Sequence, residues 1–314
     1  MTENYKPEGY YLNTPENKEH TQSLAGLEYS FAAGLTLEGR VCLCDSMHNL
    51  IVELGPYKGI IPKEEALMCL PGESVRDIAV ITRVGKAVCF KITDIIKSGT
   101  EVNIILSRRK AQEECFEKYI KKLSAGDIID AKITHEEPFG CFCDIGNGII
   151  SLLSIDCISV SRILHPRDRF YVGQSILAVV KNEVDDYGRI TLTHKELLGT
   201  WEENAGRYSA GETAAGIVRS IEPYGIFVEL APNLAGLAEW REGVEEGQCA
   251  AVYIKSIVPE KMKIKLVIVD SYNGEKTLKK HEYFINDGHL DTWRYSPDCC
   301  DRIIETVFSG NQLD

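Results

Sequence analysis

Apolar and polar residues alternate in short runs along most of the chain, and the clearest run is Pro138-Phe139-Gly140-Cys141-Phe142-Cys143-Asp144-Ile145. Past the turn at Pro138 and Gly140, a period of two puts Cys141, Cys143 and Ile145 on one face of a strand and Phe142 and Asp144 on the other. Phe142 therefore faces outward, and the Gly140 bend delivers Phe139 beside it. Each outward aromatic forgoes roughly 1.5–3 kcal/mol of burial. Stacking on flat nucleobases would compensate; packing against the linker helices or a neighbouring copy is the structural alternative.

The run occurs twice. Pro223-Tyr224-Gly225-Ile226-Phe227-Val228-Glu229-Leu230 keeps the order of inward aliphatics, outward aromatics and outward carboxylate at a constant offset of 85 residues. Ala125-Gly126-Asp127 matches Ala210-Gly211-Glu212 at the same offset, and Gly148-Ile149-Ile150 answers Gly236-Leu237-Ala238. A repeat of this length is a small domain used more than once. A fainter first copy has Leu50-Ile51-Val52-Glu53-Leu54 and Gly59-Ile60-Ile61-Pro62 in the matching places, with His48 and Ile51 where the others carry aromatics. It closes through Ala79-Val80-Ile81, Ala87 to Phe90 and Val102 to Ser107.

Between the copies the period changes. Ala111, Cys115, Phe116, Tyr119, Ile120 and Leu123 recur at helical spacing over 108–123. This helix carries Arg108, Arg109, Lys110, Lys118, Lys121 and Lys122, the most basic stretch of the chain. It reads either as a solvated linker face or as a phosphate contact through Arg108, Arg109, Lys118, Lys121 and Lys122. A second linker helix over 197–208 presents Leu197, Trp201, Ala205 and Tyr208 on one side, with Trp201 an inter-domain packing residue rather than a base-stacking one. Asp185-Asp186-Tyr187-Gly188 has turn composition. The layout predicted is a flexible arm and short helix (1–34), a divergent first copy (35–107), the basic linker (108–123), a second copy (124–196), the second linker (197–208), a third copy (209–270) and a tail (271–314). In the tail a helix is predicted from Asp298 to Phe308.

With 314 residues and 44% hydrophobic content the chain can build ordinary cores. A net charge of −12 argues against general duplex binding and makes long-range steering of a nucleic acid weak or repulsive. The eleven cysteines lack any Cys-x-x-Cys pair and read as reduced core residues. The pairs Cys42/Cys44 and Cys141/Cys143 are each predicted to share a core face. Cys299-Cys300 with His281 and His289 is a weak metal candidate, and no metal or cofactor is expected. No apolar run reaches membrane-spanning length, so a cytoplasmic protein with no membrane partner is expected.

A glycine near the start of each copy, an aromatic-Gly-x-aromatic second strand, a Gly-aliphatic-aliphatic third strand and an Arg-Ile-x-Leu-Ser/Thr finish resemble tandem S1 domains. The arrangement is similar to the short-form S1 family of small-subunit ribosomal proteins of Gram-positive bacteria, over roughly 37–270. The resemblance implies an all-β fold of three tandem five-stranded OB-fold barrels of the S1 type, joined by short linker helices. Its RNA face is two aromatics, a third-strand histidine, then an acidic residue and an arginine on the last hairpin. In the second copy these fall on Phe139, Phe142, Ser151, Asp185 or Asp186, and Arg189, with Lys181 near the same face. In the third they fall on Tyr224, Phe227, Glu239 and Lys263. The first copy is implied to dock on protein, namely the ribosome.

The pattern contains no phosphate-loop, His-Glu-x-x-His or Gly-x-Ser-x-Gly sequence, so no enzyme is expected. The function expected is non-catalytic binding of single-stranded RNA, specifically messenger RNA, at the small ribosomal subunit by a monomer. The alternative is a protein-interaction scaffold whose barrels have lost strong RNA binding.

Overall fold

The computed structural model describes residues 5–69, 74–99, 101–274 and 282–308. Two helices, α1 (Pro15–Thr21) and α2 (Leu24–Ala33), precede the first barrel. That barrel is β1 (Thr36–Cys44), β2 (Leu50–Leu54), β3 (Tyr57–Ile61), helix α3 (Asp77–Ile81), β4 (Ala87–Ser98) and β5 (Glu101–Ser107). Helix α4 (Arg108–Lys118) leads to the second, formed by β6 (Ile128–Glu137), β7 (Gly140–Asp144), β8 (Ile150–Ser154), β9 (Ser175–Val180) and β10 (Thr191–Thr193). Helix α5 (Trp201–Ala205) leads to the third: β11 (Thr213–Glu222), β12 (Gly225–Ala231), β13 (Leu234–Ala238), β14 (Cys249–Val258) and β15 (Lys263–Tyr272). All three sheets close in one order, first strand to second to third to fifth to fourth, with the third and fifth parallel. This is the predicted OB-type architecture.

In each barrel the first strand breaks register at the same place, between Val41 and Leu43, Ile133 and His135, and Val218 and Ser220. An extra residue there sharpens the twist and helps the sheet curl on itself. It also resets the alternation, which corrects one expectation: Cys42 is exposed and Cys44 only half-buried, whereas Cys141 and Cys143 lie fully in the second core. Residues 77–81 form a helix rather than a strand, covering the first barrel through Val80.

Residues 5–34 do not run free as the predicted arm. Thr14 caps α1, Ser23 caps α2, and Leu27 enters the first core. Tyr5 packs in the second core, and Glu8 lies buried between the first two barrels. The tail also differs from expectation, forming the pair β16 (Thr292–Arg294) and β17 (Glu305–Val307) in place of a helix over 298–308. Trp293 and Tyr295 enter the third core, and this docking outweighs the helical spacing of Ile303, Ile304 and Val307. Further along, Leu290 donates to the Gly126 carbonyl (2.9 Å), and Phe308 packs with Val179 and Leu197 of the second barrel. Trp201 is buried against the third core, an inter-domain packing position.

Candidate nucleic-acid interface

Gly140 and Gly225 open the second strands of the second and third barrels. A Cβ at Gly140 would sit 2.4 Å from the Leu153 carbonyl, and one at Gly225 would sit 2.5 Å from that of Ala238. Only glycine lets the turn close this tightly on the third strand. The turn holds Phe139 edge-on to Phe142 at 6.1 Å and 89°, and Tyr224 edge-on to Phe227 at 6.2 Å and 88°. Phe139 and Tyr224 are 53% and 69% exposed, while their partners are half-buried against the sheet. Each pair is thus one anchored ring carrying one free ring, a platform a base can stack on.

The second platform has a third ring. His135 faces Phe142 across the β6–β7 register and stacks on it at 6.3 Å and 24°. The equivalent place in the third barrel holds Ser220, opposite Phe227. His135 escaped the sequence reading because the β6 bulge moves it out of the simple alternation; its position one turn before an aromatic-Gly-x-aromatic run was the available signal.

Other expected residues fall unevenly around these platforms. Ser151 is a correction: it points into the sheet, buried, and its hydroxyl donates to the Ile190 carbonyl at 2.7 Å, so it is not on the outer face. Asp185 caps its own turn, accepting from the backbone N–H of Tyr187 (2.9 Å) and Arg189 (2.8 Å). Asp186 and Arg189 are exposed, and Arg189 lies 4.8 Å over the Tyr187 ring. Lys181 reaches Cys157, its ammonium 3.4 Å from the sulfur. In the third barrel a small hollow of about 250 Å³ gathers Tyr224, Glu239, Lys255 and Lys265. Lys255 pairs with Glu239 at 3.4 Å, and Lys263 is exposed at the start of β15 outside this hollow. Lys255 and Lys265 are cations the sequence reading did not place here.

The basic linker helix is largely neutralised by acids. Arg108 corrects the phosphate-contact expectation outright: it is fully buried and forms a two-pronged pair with Glu8 at 2.7 and 3.0 Å. Arg109 is held by Glu65 (2.6 Å) and Glu113 (2.8 Å), Lys118 by Glu114 (3.1 Å) and Lys121 by Glu117 (2.6 Å). Lys122 is exposed. The outward carboxylates of the repeat are also corrected: Asp144 and Glu229 leave their own barrels but are buried at 2% and 5% in the junctions with the preceding barrel. Burial, then the charge of Glu8, pushes the Asp144 carboxyl up to about 7, against the N–H groups of Glu8 and Gly146 that favour its ionised form.

Among the described residues no group of three or more His, Cys, Asp or Glu is arranged to hold a metal ion. His281 of the weak candidate set lies outside them. No helix among them is long and apolar enough to cross a membrane.

Comparison with known proteins agrees with the barrel architecture. Residues 122–195, the second barrel, match the S1 RNA binding domain family. The chain is 27% identical over 247 residues to small ribosomal subunit protein bS1 of Staphylococcus aureus, covering 74% of this chain and 61% of that protein. It is 30% identical over 266 residues to bS1 of Staphylococcus haemolyticus, covering 77% and 65%. The chain therefore spans about three-fifths of the length of these relatives. A multidomain protein with nucleic acid binding domains from Streptococcus pneumoniae aligns at 15% identity over 76% of this chain and 74% of its own, with a TM-score of 0.25.

Proposed function

We propose, from the S1 domain at 122–195 and the likeness to bS1, that this protein binds single-stranded RNA on the outer faces of its second and third barrels without catalysing a reaction. The observation that carries this is the same edge-on aromatic pair, 6.1 and 6.2 Å apart, held in one register on two successive barrels. A base has an apolar face whatever its identity, so such a pair grips RNA with little sequence preference. The second barrel is the stronger site: it adds His135, and Arg189 and Lys181 lie on the hairpin side where phosphates would pass. The third is the helper, since Glu239 beside Tyr224 repels phosphate and is only partly offset by Lys255 and Lys265. Tethering the two makes the second contact intramolecular and raises avidity. By its likeness to bS1 the protein acts on messenger RNA at the small ribosomal subunit, in the cytoplasm, as a monomer.

The test is fluorescence anisotropy with a labelled single-stranded RNA at two salt concentrations. Phe139→Ala/Phe142→Ala is expected to cost on the order of 1–3 kcal/mol per stacked base, and Tyr224→Ala/Phe227→Ala less. Wild-type protein that fails to bind, or binding indifferent to both pairs, would replace this function with that of a protein-interaction scaffold.

A further inference from the structure

The first barrel lacks the aromatic platform, yet it forms one wall of a cleft of about 630 Å³ whose other wall is the second barrel. From the first barrel come Arg40, Arg83 and Lys86; from β6 of the second come Lys132 and His135. In a chain of net charge −12 this gathering is anomalous. Two carboxylates also line the cleft, Glu8 and Asp144, and they are outnumbered by the four cations Arg40, Arg83, Lys86 and Lys132. Glu8 is engaged by Arg108, and both Asp144 oxygens accept backbone N–H groups, from Glu8 (2.7 Å), Gly146 (2.9 Å) and Gly148 (3.0 Å). Arg83 stands 3.9 Å from Glu8, at the outer limit of a pair.

The contrast with the linker helix is instructive. There, Arg108, Arg109, Lys118 and Lys121 each meet a carboxylate, whereas among the described residues no carboxylate lies within ion-pair distance of Arg40, Lys86 or Lys132. Among the described residues Arg40 and Lys132 are steadied by neutral carbonyls, those of Gly85 (2.8 Å) and Glu8 (2.9 Å). Lys132 keeps further ammonium protons to donate. Burial first, then the neighbouring Arg83 charge, lowers the proton affinity of the Lys86 ammonium, with Glu8 opposing. His135 belongs to both places, lining the cleft and stacking on Phe142, with Glu137 2.8 Å from its Nε2.

We infer that the cleft is the phosphate-binding half of the RNA site: a strand stacked on Phe139 and Phe142 passes His135 and lays its next phosphates between Lys132 and the Arg40, Arg83 and Lys86 of the first barrel. This rests on the RNA-binding function proposed above and gives the first barrel a part in it. RNA binding then has two separable components, stacking on one barrel and charge between two.

Arg40→Glu/Lys86→Glu tests it, because both side chains are exposed and outside every core. Two oligouridylates are used, about four nucleotides, enough for the platform alone, and about twelve, long enough to enter the cleft. The expected result is that the double variant weakens the longer RNA about tenfold and flattens its log–log salt dependence by about one to two, leaving the shorter unchanged. Lys118→Glu/Lys121→Glu, the same charge change on the linker, is expected to alter neither. Equal losses from both charge variants, or an equal loss on both RNA lengths, would overturn the inference by reducing it to net charge. Unchanged binding of the longer RNA by Arg40→Glu/Lys86→Glu, with Phe139→Ala/Phe142→Ala still damaging, overturns the cleft and spares the platform. If the aromatic variant is also silent, the RNA-binding function itself fails.

Discussion

Asp144 and Glu229 stand at the same place in successive copies, 85 residues apart, and each is carried out of its own barrel into the junction with the barrel before it. Around Glu229 the junction is built from opposed charges. Arg169 of the second barrel donates at 2.5 Å, Arg219 of the third donates at 2.8 and 3.2 Å, and Arg219 lies 3.4 Å from Asp168. Around Asp144 the cation is bound elsewhere: Arg108 grips Glu8, and Asp144 is satisfied by backbone N–H groups alone. Gly148 is required there, because a Cβ would fall 1.9 Å from the Arg108 guanidinium. One register position thus supports two kinds of joint. The second joint joins two barrels directly, while the first adds to the direct contact of Cys89 Sγ with the Asn147 carbonyl (3.3 Å) the residues 5–9, inserted between the barrels, and depends on that segment staying in place.

The largest test of this difference is Arg108→Met. It leaves the buried Glu8 carboxylate with Arg83, 3.9 Å away, as its remaining cation and is expected to cost about 3–5 kcal/mol in urea unfolding, partly restored by adding Glu8→Gln. A cost no larger than that of a surface change would mean the pair does not organise the first joint. Glu229→Gln is expected to cost about 2–4 kcal/mol, less because Asp168 still offsets Arg219; a larger loss than at Arg108 would reverse the ranking of the joints.

The first joint also responds to pH. Burial pushes the Glu38 carboxyl up to about 7, with Glu8 adding to the shift and the Gly9 N–H opposing it, and its Oε2 has no hydrogen-bond partner among the described residues. A raised carboxyl favours the protonated folded state, so its stabilisation is full below about pH 4.5 and is lost as pH rises to about 7. Asp144 acts in the same direction. Glu38→Gln is expected to flatten that leg and to raise stability at pH 8 by about 1–3 kcal/mol, as thermal melts across the range would show. A leg unchanged in the variant would assign it to the rest of the molecule. The smallest effect belongs to the outer face of α4: Lys118→Ala or Lys121→Ala is expected to shift stability by no more than about 0.5 kcal/mol, which separates loss of charge from loss of a buried pair.

Much of this was legible in the sequence and some could not be. Strand alternation and the repeat pointed to three barrels, and the aromatic pairs fell where the pattern put them. Alternation was also right that Asp144 and Glu229 leave their own barrels. It could not tell that a second barrel waits on that side, since a local pattern reports which face a residue takes and not what covers the face. Glu8 and Arg108 look like surface charges for the same reason; each is explained only by the other, a hundred residues away. The tail misled through Ile303, Ile304 and Val307, whose spacing suits a helix, while pairing with the strand that carries Trp293 prevailed.

The returning tail has a consequence for how the molecule is made. Thr306 donates to Glu196, 110 residues earlier, and His289 meets Asp127, 162 residues earlier. During synthesis the second barrel is complete long before residues 283–308 emerge, so its patch around Val179 and Leu197 stays uncovered while the third barrel is built. Such late, long-range closure is slow and leaves apolar surface open to wrong partners. The nascent chain therefore passes through a stage in which its second barrel is folded with this patch open, and the emergence of residues 283–308 ends that exposure.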